Sequence, residues 1–436
     1  MEPIHAAANV RYAIPMAPLP LTLPTIQNWS CHNCGGCCTQ HLIEITDAER
    51  QRIVDQGWTH DDGVTQDPIV WFAGPSWNKR YRLAHRDDGG CVFLNEQGLC
   101  RIHAKFGEAA KPLACRVYPY ALHPQGKSIA VSLRFSCPSV IANQGRPVSQ
   151  QTKDLKSIEE LVVPEGSERI PPPWLNSRER VDWGAFALFV DRLYGMMGET
   201  RTPLLLRVFQ SLAWVNLVGQ SRFAGLSKPQ IREYLDLITA AVLTQFAQLP
   251  EPIDPPGKVG RLYFRLFAAQ YARKDTVQSL SAGWLGRWKL FRAIWAFTKG
   301  RGNVPVLQPG FRSAPFESLE VPFGGLPEGA DELITRYWQV KLQGLHFCGL
   351  AYYGVPLVEG FHSLILMLPV TLWLARWRAR SHERDAITLD DVQTALAIAD
   401  HNHGYSAAFG ESSARRRIRY LAHTGELSRL CLWYGR

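Results

Sequence analysis

Cys31-His32-Asn33-Cys34-Gly35-Gly36-Cys37-Cys38 places four thiols in eight positions, far too densely for core packing. Three of them keep a C-x₂-C-x₂-C spacing, which lets successive sulfurs converge on one centre, as in runs that hold cubane iron–sulfur clusters. Gly35 and Gly36 supply the permissive backbone that such a wrap needs. Cys37 and Cys38 are neighbours, and in an extended segment neighbouring side chains point to opposite faces. One of the pair is therefore expected to serve a second centre. A disulfide knot or a set of reactive thiols are the plainer alternatives, and the downstream cysteines weigh toward metal.

Of ten cysteines, eight lie between Cys31 and Cys137. The first thirty residues carry no charged segment followed by an apolar one, so no export signal is evident. A cytoplasmic location follows as the expectation. Reduced cytosolic thiols in such density read as metal ligands rather than disulfides. Cys91-Val92-Phe93-Leu94-Asn95-Glu96-Gln97-Gly98-Leu99-Cys100 reads as a hairpin with Asn95–Gly98 as its loop. With Leu94 opposite Leu99, Phe93 faces Cys100 and Cys91 lies one diagonal away. A diagonal pair is about 7–8 Å apart, long for a disulfide and suited to two thiolates on a common site. Cys115 follows Lys111-Pro112. A second hairpin then turns at Pro124–Lys127 and returns through Val131, Leu133, Phe135 and Cys137, whose alternation puts Cys137 on the buried face. The expected ligands are Cys31, Cys34, Cys37, Cys38, Cys91, Cys100, Cys115 and Cys137. Eight thiolates match two four-ligand centres, with at least one iron–sulfur cluster preferred over zinc alone. His103, at a C-x₂-H spacing, is expected to pack beside the site rather than to ligate.

The rest of the chain bounds the architecture. Its 436 residues, 46% of them hydrophobic, can build a sizeable core. The formal charge of +9 permits an acidic partner, though solubility is the ordinary reading. Residues 1–30 read as an extended leader, 31–145 as a metal-organised domain with short strands, and 146–180 as a Pro-rich linker. Residues 181–436 then read as mainly helical, an α+β class overall. Thr46 and Glu49 form a capping box for a helix that Gly57 ends. Helical periodicity marks Trp183–Met197, Leu204–Val218, Lys228–Leu249, Val259–Arg273, Ala330–Tyr353, Pro356–His382, Leu389–His401 and Ser412–Tyr434. Phe361–Trp377, the most apolar run, is short for a membrane span and holds His362 and Pro369, so it reads as a bundle helix. Trp284, Trp288, Phe291 and Trp295 share a face with interleaved basic residues. A core helix with outward basic side chains is the preferred reading there, over a membrane-surface or nucleic-acid helix. No P-loop, dinucleotide-binding fingerprint, nucleophile elbow or H-E-x-x-H is present.

The cysteine set, with Cys100-Arg-Ile-His103, Lys111-Pro112 and Cys115-Arg116-x-Tyr118-Pro119, resembles the bacterial CxxCxxCC cysteine-cluster family, a zinc- or iron-chelating domain. The resemblance covers about residues 30–140. A relative of that family, flagellin lysine N-methylase, similarly joins a cysteine-rich part to a long helical part. That likeness implies methyl transfer from S-adenosylmethionine to a protein substrate. No residue here matches a methyl-donor or lysine site, so the catalytic and cofactor positions are unassigned.

Overall fold

The computed structural model describes residues 19–75, 77–274 and 283–436. The first eighteen residues of the expected leader lie outside it. The N-terminal third is built from short strands: β1 (Leu21–Thr22), β2 (Asn28–Trp29), β3 (Glu44–Ile45), β4 (Ile69–Ala73), β5 (Arg80–Leu83), β6 (Tyr120–Gln125), β7 (Ser128–Leu133) and β8 (Arg146–Pro147). They make three small sheets, ordered β1-β7-β6, β2-β8 and β3-β5-β4, in which only the β1–β7 pairing is parallel. The expected second hairpin is β6–β7, closing from Gln125 to Ser128. Because β7 is the central strand, Ala130 and Ser132 are as deeply buried as Val131 and Leu133.

Short helices connect these strands: α1 (Gly36–Gln40), α2 (Asp47–Asp55), α3 (Arg101–Phe106), α4 (Leu113–Val117) and α5 (Pro138–Ile141). The capping box of α2 is present as expected, with Thr46 Oγ1 accepting from the Glu49 amide and Glu49 Oε2 accepting from the Thr46 amide at 2.8 Å. The stretch expected as linker contains α6 (Thr152–Val162), whose Leu155 is buried.

The helical part comprises α7 (Trp183–Gly198), α8 (Leu204–Gln220), α9 (Lys228–Gln245), α10 (Lys258–Ala272), α11 (Gly283–Lys299), α12 (Ala330–Gln343), α13 (Leu357–Ser381), α14 (Leu389–Asn402), α15 (Ser412–His423) and α16 (Glu426–Gly435). Two expected helices are shorter than their periodicity suggests. The one starting at Ala330 stops before Gly344, and the chain knots through Leu345 at φ 52° and a Gly349–Val355 bridge. The last one is broken in two at Gly425, where φ is 73°.

Helix α13 is long and apolar enough to cross a membrane by length and composition, but 94% of its apolar window is buried inside the fold. Glu359, His362 and Arg376 of this helix find partners there. Glu359 accepts from Arg415 at 2.6 Å and Arg419 at 3.0 Å, and His362 Nε2 meets Asn216 Oδ1 at 3.1 Å. Arg376, fully buried, donates to the carbonyls of Leu319, Val321, Tyr434 and Arg436, tying α13 to the end of α16.

Two apolar cores result. A small one gathers Ile45, Ile53, Val64, Leu83, Ala84, Cys91, Val92, Phe93, Leu94 and Ile102. The large one runs without a break from the β6–β7 hairpin and Cys137 into the helices. Buried charges stitch that seam. Arg336 of α12 donates to Gln27 Oε1 and the Val140 carbonyl at 2.8 Å each, and to the Ile141 carbonyl at 2.5 Å. Lys341 of α12 pairs with Asp400 of α14 at 2.7 Å, both side chains having no solvent exposure. Lys341 also donates to the Leu133 carbonyl at 3.0 Å, and Asp400 accepts from the Ser136 amide at 3.0 Å.

Candidate metal centre

The structure brings seven of the eight N-terminal thiols near one another, five around Cys37 and Cys38 and, separately, Cys34 with Cys137. Cys37 and Cys38 lie on α1 with their sulfurs 3.9 Å apart. They point to a common side because adjacent residues of a helix are only about 100° apart around its axis. The expectation that the pair divides between centres assumed an extended chain, and the helix removes that premise. Gly35 starts that helix at φ 64°, a conformation that only glycine adopts without cost.

Cys91 joins the pair by donating its amide to the Cys38 carbonyl at 2.9 Å. Its segment differs from the expected hairpin. Residues 91–94 form a turn, closed by Leu94 N–H to the Cys91 carbonyl, and the bridge pairs Leu94 with Cys100 rather than with Leu99. The Asn95 side chain accepts from the Gln97 and Leu99 amides, and these local bonds set the register that alternation alone could not. Cys100 thereby starts α3. Gly98 packs where a Cβ would lie 2.1 Å from the Asn33 carbonyl oxygen, bringing this loop against the Cys31–Cys34 segment.

Cys115 sits on α4, which α2 holds in place: Glu49 Oε1 accepts from the Leu113 amide at 2.6 Å, and Arg52 donates to the Lys111 carbonyl. Cys37, Cys38, Cys91, Cys100 and Cys115 are close enough that each buried thiol responds to charge on others of the set. The hydrogen bond with Cys38 holds the Cys37 thiol down at about 6 against desolvation, with help from Lys111. Cys38 is pushed up by the same hydrogen bond and by burial. Burial pushes Cys91 up to about 12 and raises Cys115 as well, opposed by Arg86 and Lys111 respectively. The group thus favours one thiolate with its proton-bearing neighbour and two nearby cations.

The second group is Cys34 with Cys137. Burial raises the Cys137 thiol, and charge on Cys34 adds to it, while the Trp29 indole opposes both. Cys34 Sγ lies 3.4 Å from the place a Gly36 Cβ would occupy, as does the Pro138 ring that follows Cys137. Cys137 begins α5 instead of extending the face of β7. Cys31 is exposed, its sulfur 3.7 Å from Asn33 Oδ1. Tyr118 stands between the groups, feeling charge on both Cys137 and Cys37, with its hydroxyl 3.2 Å from Ser136 Oγ. Cys348 and Cys431 are buried in the large core, as expected.

Among the described residues no three histidine, cysteine or carboxylate side chains are placed closely enough to hold an ion as they stand. The donor chemistry fits one nonetheless. Two thiolates at about 2.3 Å from a tetrahedral ion stand roughly 3.8 Å apart, and Cys37 and Cys38 stand at 3.9 Å. His103 is exposed on α3 and does not join the thiols. His32 meets Ser139 at 2.9 Å. Sequence reading missed Lys111, Arg86 and Tyr118 as the charged and polar company of the thiols; Lys111 and Tyr118 lie in the motif segments, whereas nothing near Arg86 marks it. Two grooves, of about 710 and 480 Å³, lie along α9 and between α7, α8 and α9, and no cysteine lines them.

A thiol-rich lobe of short strands and helices, set on a helical body, is the class that fold and site define. Residues 30–138 match the model of the CxxCxxCC family, described as a putative zinc- or iron-chelating domain. No curated protein and no solved structure matches the chain, so the likeness to flagellin lysine N-methylase gains no support.

Proposed function

We propose that this protein is a cytoplasmic metal-binding protein in which Cys31, Cys34, Cys37, Cys38, Cys91, Cys100, Cys115 and Cys137 hold zinc or iron in two centres. Cys37 and Cys38 share one centre with ligands drawn from Cys91, Cys100 and Cys115. Cys34 and Cys137 belong to the other, with Cys31 next to them in sequence. The observation that carries this reading is the 3.9 Å separation of the Cys37 and Cys38 sulfurs, which suits a single tetrahedral ion. Lys111 and Arg86 offset the charge of several thiolates at one place, which otherwise repel one another. When bound, the ion supplies a cross-link among segments that share only a ten-residue core.

An iron–sulfur cluster is the second reading, favoured by the Cys31-x₂-Cys34-x₂-Cys37 spacing. Purification without oxygen, followed by iron, sulfide and zinc analysis and an absorption spectrum, separates the two. Stoichiometric zinc or iron without sulfide supports single-ion centres. Iron with matching sulfide and a broad visible band would replace them by a cluster, and a protein with no stoichiometric metal would defeat both readings.

A further inference from the structure

We propose that the outward face of α11 docks onto a bilayer surface rich in anionic lipid. The helix is anchored from one side only, through Ala293 and Phe297, the latter packed on Phe316 and Trp373 with ring centroids 5.3 and 5.9 Å away. At about 100° per residue, Trp284, Trp288, Phe291 and Trp295 fall on the opposite pole. They are open to solvent at 74, 54, 57 and 55% exposure. The aromatic stripe therefore faces away from the core, which corrects the expectation of a core helix. Scattered exposed apolar residues are ordinary on a protein surface, but four large aromatic rings on one ridge mark a contact site.

Charge identifies the occupant. Between Gly283 and Phe316 the chain carries six basic residues and no acidic one. Arg287 flanks the aromatic pole on one side, with Arg292 and Lys299 on the other, and Lys299 sits 5.1 Å from the Trp295 ring centre. Among the described residues no carboxylate pairs with any of them. A second copy of the same face would bring cations against cations, which repel. The ridge is convex and about 16 Å long from Trp284 to Trp295, so it suits a soft, flat surface better than a groove. Indole rings settle at the boundary between acyl chains and headgroups, while flanking Lys and Arg reach up to lipid phosphates. Anionic lipid supplies both halves of that match.

The test uses the full chain, purified with its metal, and vesicles of phosphatidylcholine with and without phosphatidylglycerol. Cosedimentation is expected with the anionic vesicles and not with the neutral ones, with a blue shift of tryptophan emission. Replacing Trp284→Ser, Trp288→Ser and Trp295→Ser together is expected to weaken partitioning about tenfold or more, and Arg287→Glu with Arg292→Glu similarly. All five positions are exposed, and circular dichroism checks that the variants keep their fold. Wild-type protein that stays in the supernatant with anionic vesicles overturns the proposal. So does a triple variant that pellets as well as wild type, or equal binding to neutral vesicles. A concentration-dependent dimer that the triple variant dissolves, without vesicle binding, would assign the face to a protein contact instead.

Discussion

Replacing Lys341 by Met probes the seam between the thiol-bearing strands and the helices. Lys341 and Asp400 are both without solvent exposure and 2.7 Å apart. Burial lowers the Lys341 pKa, and the neighbouring Asp400 charge works against that. Lys341→Met leaves the Asp400 carboxylate buried without its cation and deprives the Leu133 carbonyl of a donor. Loss of one partner of a buried pair costs about 3–5 kcal/mol, and the orphaned carbonyl adds about 1 kcal/mol. Asp400→Asn retains an acceptor for the Ser136 amide but strands the ammonium, for a loss of about 3 kcal/mol or more. The double variant removes both charges, so its loss is expected to fall short of the sum by about 2–3 kcal/mol. Urea unfolding followed by tryptophan emission on the metal-replete chain measures all four corners of the cycle. Single variants that each lose less than about 1 kcal/mol, or a double variant equal to the sum, would refute the view that these charges act as one clasp.

Chelation is expected to open the thiol lobe selectively. Limited proteolysis of chelated protein should cut within residues 38–110 while the helical body persists, and Cys115→Ser should behave alike; uniform resistance would make the metal accessory. Glu49→Ala removes the acceptor for the Thr46 amide in the α2 capping box and the acceptor for the Leu113 amide together, an expected loss of about 2–3 kcal/mol by urea unfolding and weaker retention of metal. Its effect should exceed that of Thr46→Ala, which removes only the cap. Burial, reinforced by the His423 charge, depresses His362 to about 3, so the folded ring stays neutral where the unfolded one takes a proton near pH ~6.5. The stability contributed by that neutral ring is complete above pH ~6.5 and falls by about 1.4 kcal/mol per unit as pH drops toward 3. His362→Gln should flatten the measured slope by that amount across pH 4–6, and an unchanged slope would exclude the mechanism.

The helices were readable because their apolar spacing matches 3.6 residues per turn, and the start of α2 because Thr46 and Glu49 are capping residues in the right places. The β6–β7 hairpin was readable from alternation and a glycine at its turn. The Cys91–Cys100 register was not, because Asn95 side-chain bonds decide it and alternation is blind to them. The vicinal cysteines were misread because five residues give no period from which to distinguish helix from extended chain. Periodicity put the α11 aromatics on one face correctly, but it does not say whether an apolar face finds a partner. Ala293 and Phe297, a far smaller patch, turned out to be the buried side. The eight candidate ligands were visible as a set, whereas their division into groups depends on distant segments, such as Glu49 holding α4, that no local pattern encodes.

Arg336, Lys341 and Asp400 fix the backbone from Leu133 to Ile141, and Cys137 lies inside that span. If Cys137 ligates as proposed, its ordering entropy is thus spent when the helical body folds, before any ion arrives. The other group has no such scaffold, since its five cysteines hang from a lobe with a ten-residue core. In the proposed centre Cys137 is accordingly a preorganised half-site, and affinity there is expected to be coupled to helical stability by linkage. A substitution deep in α12 or α14, remote from any sulfur, will consequently be read out as a change in metal dissociation rate.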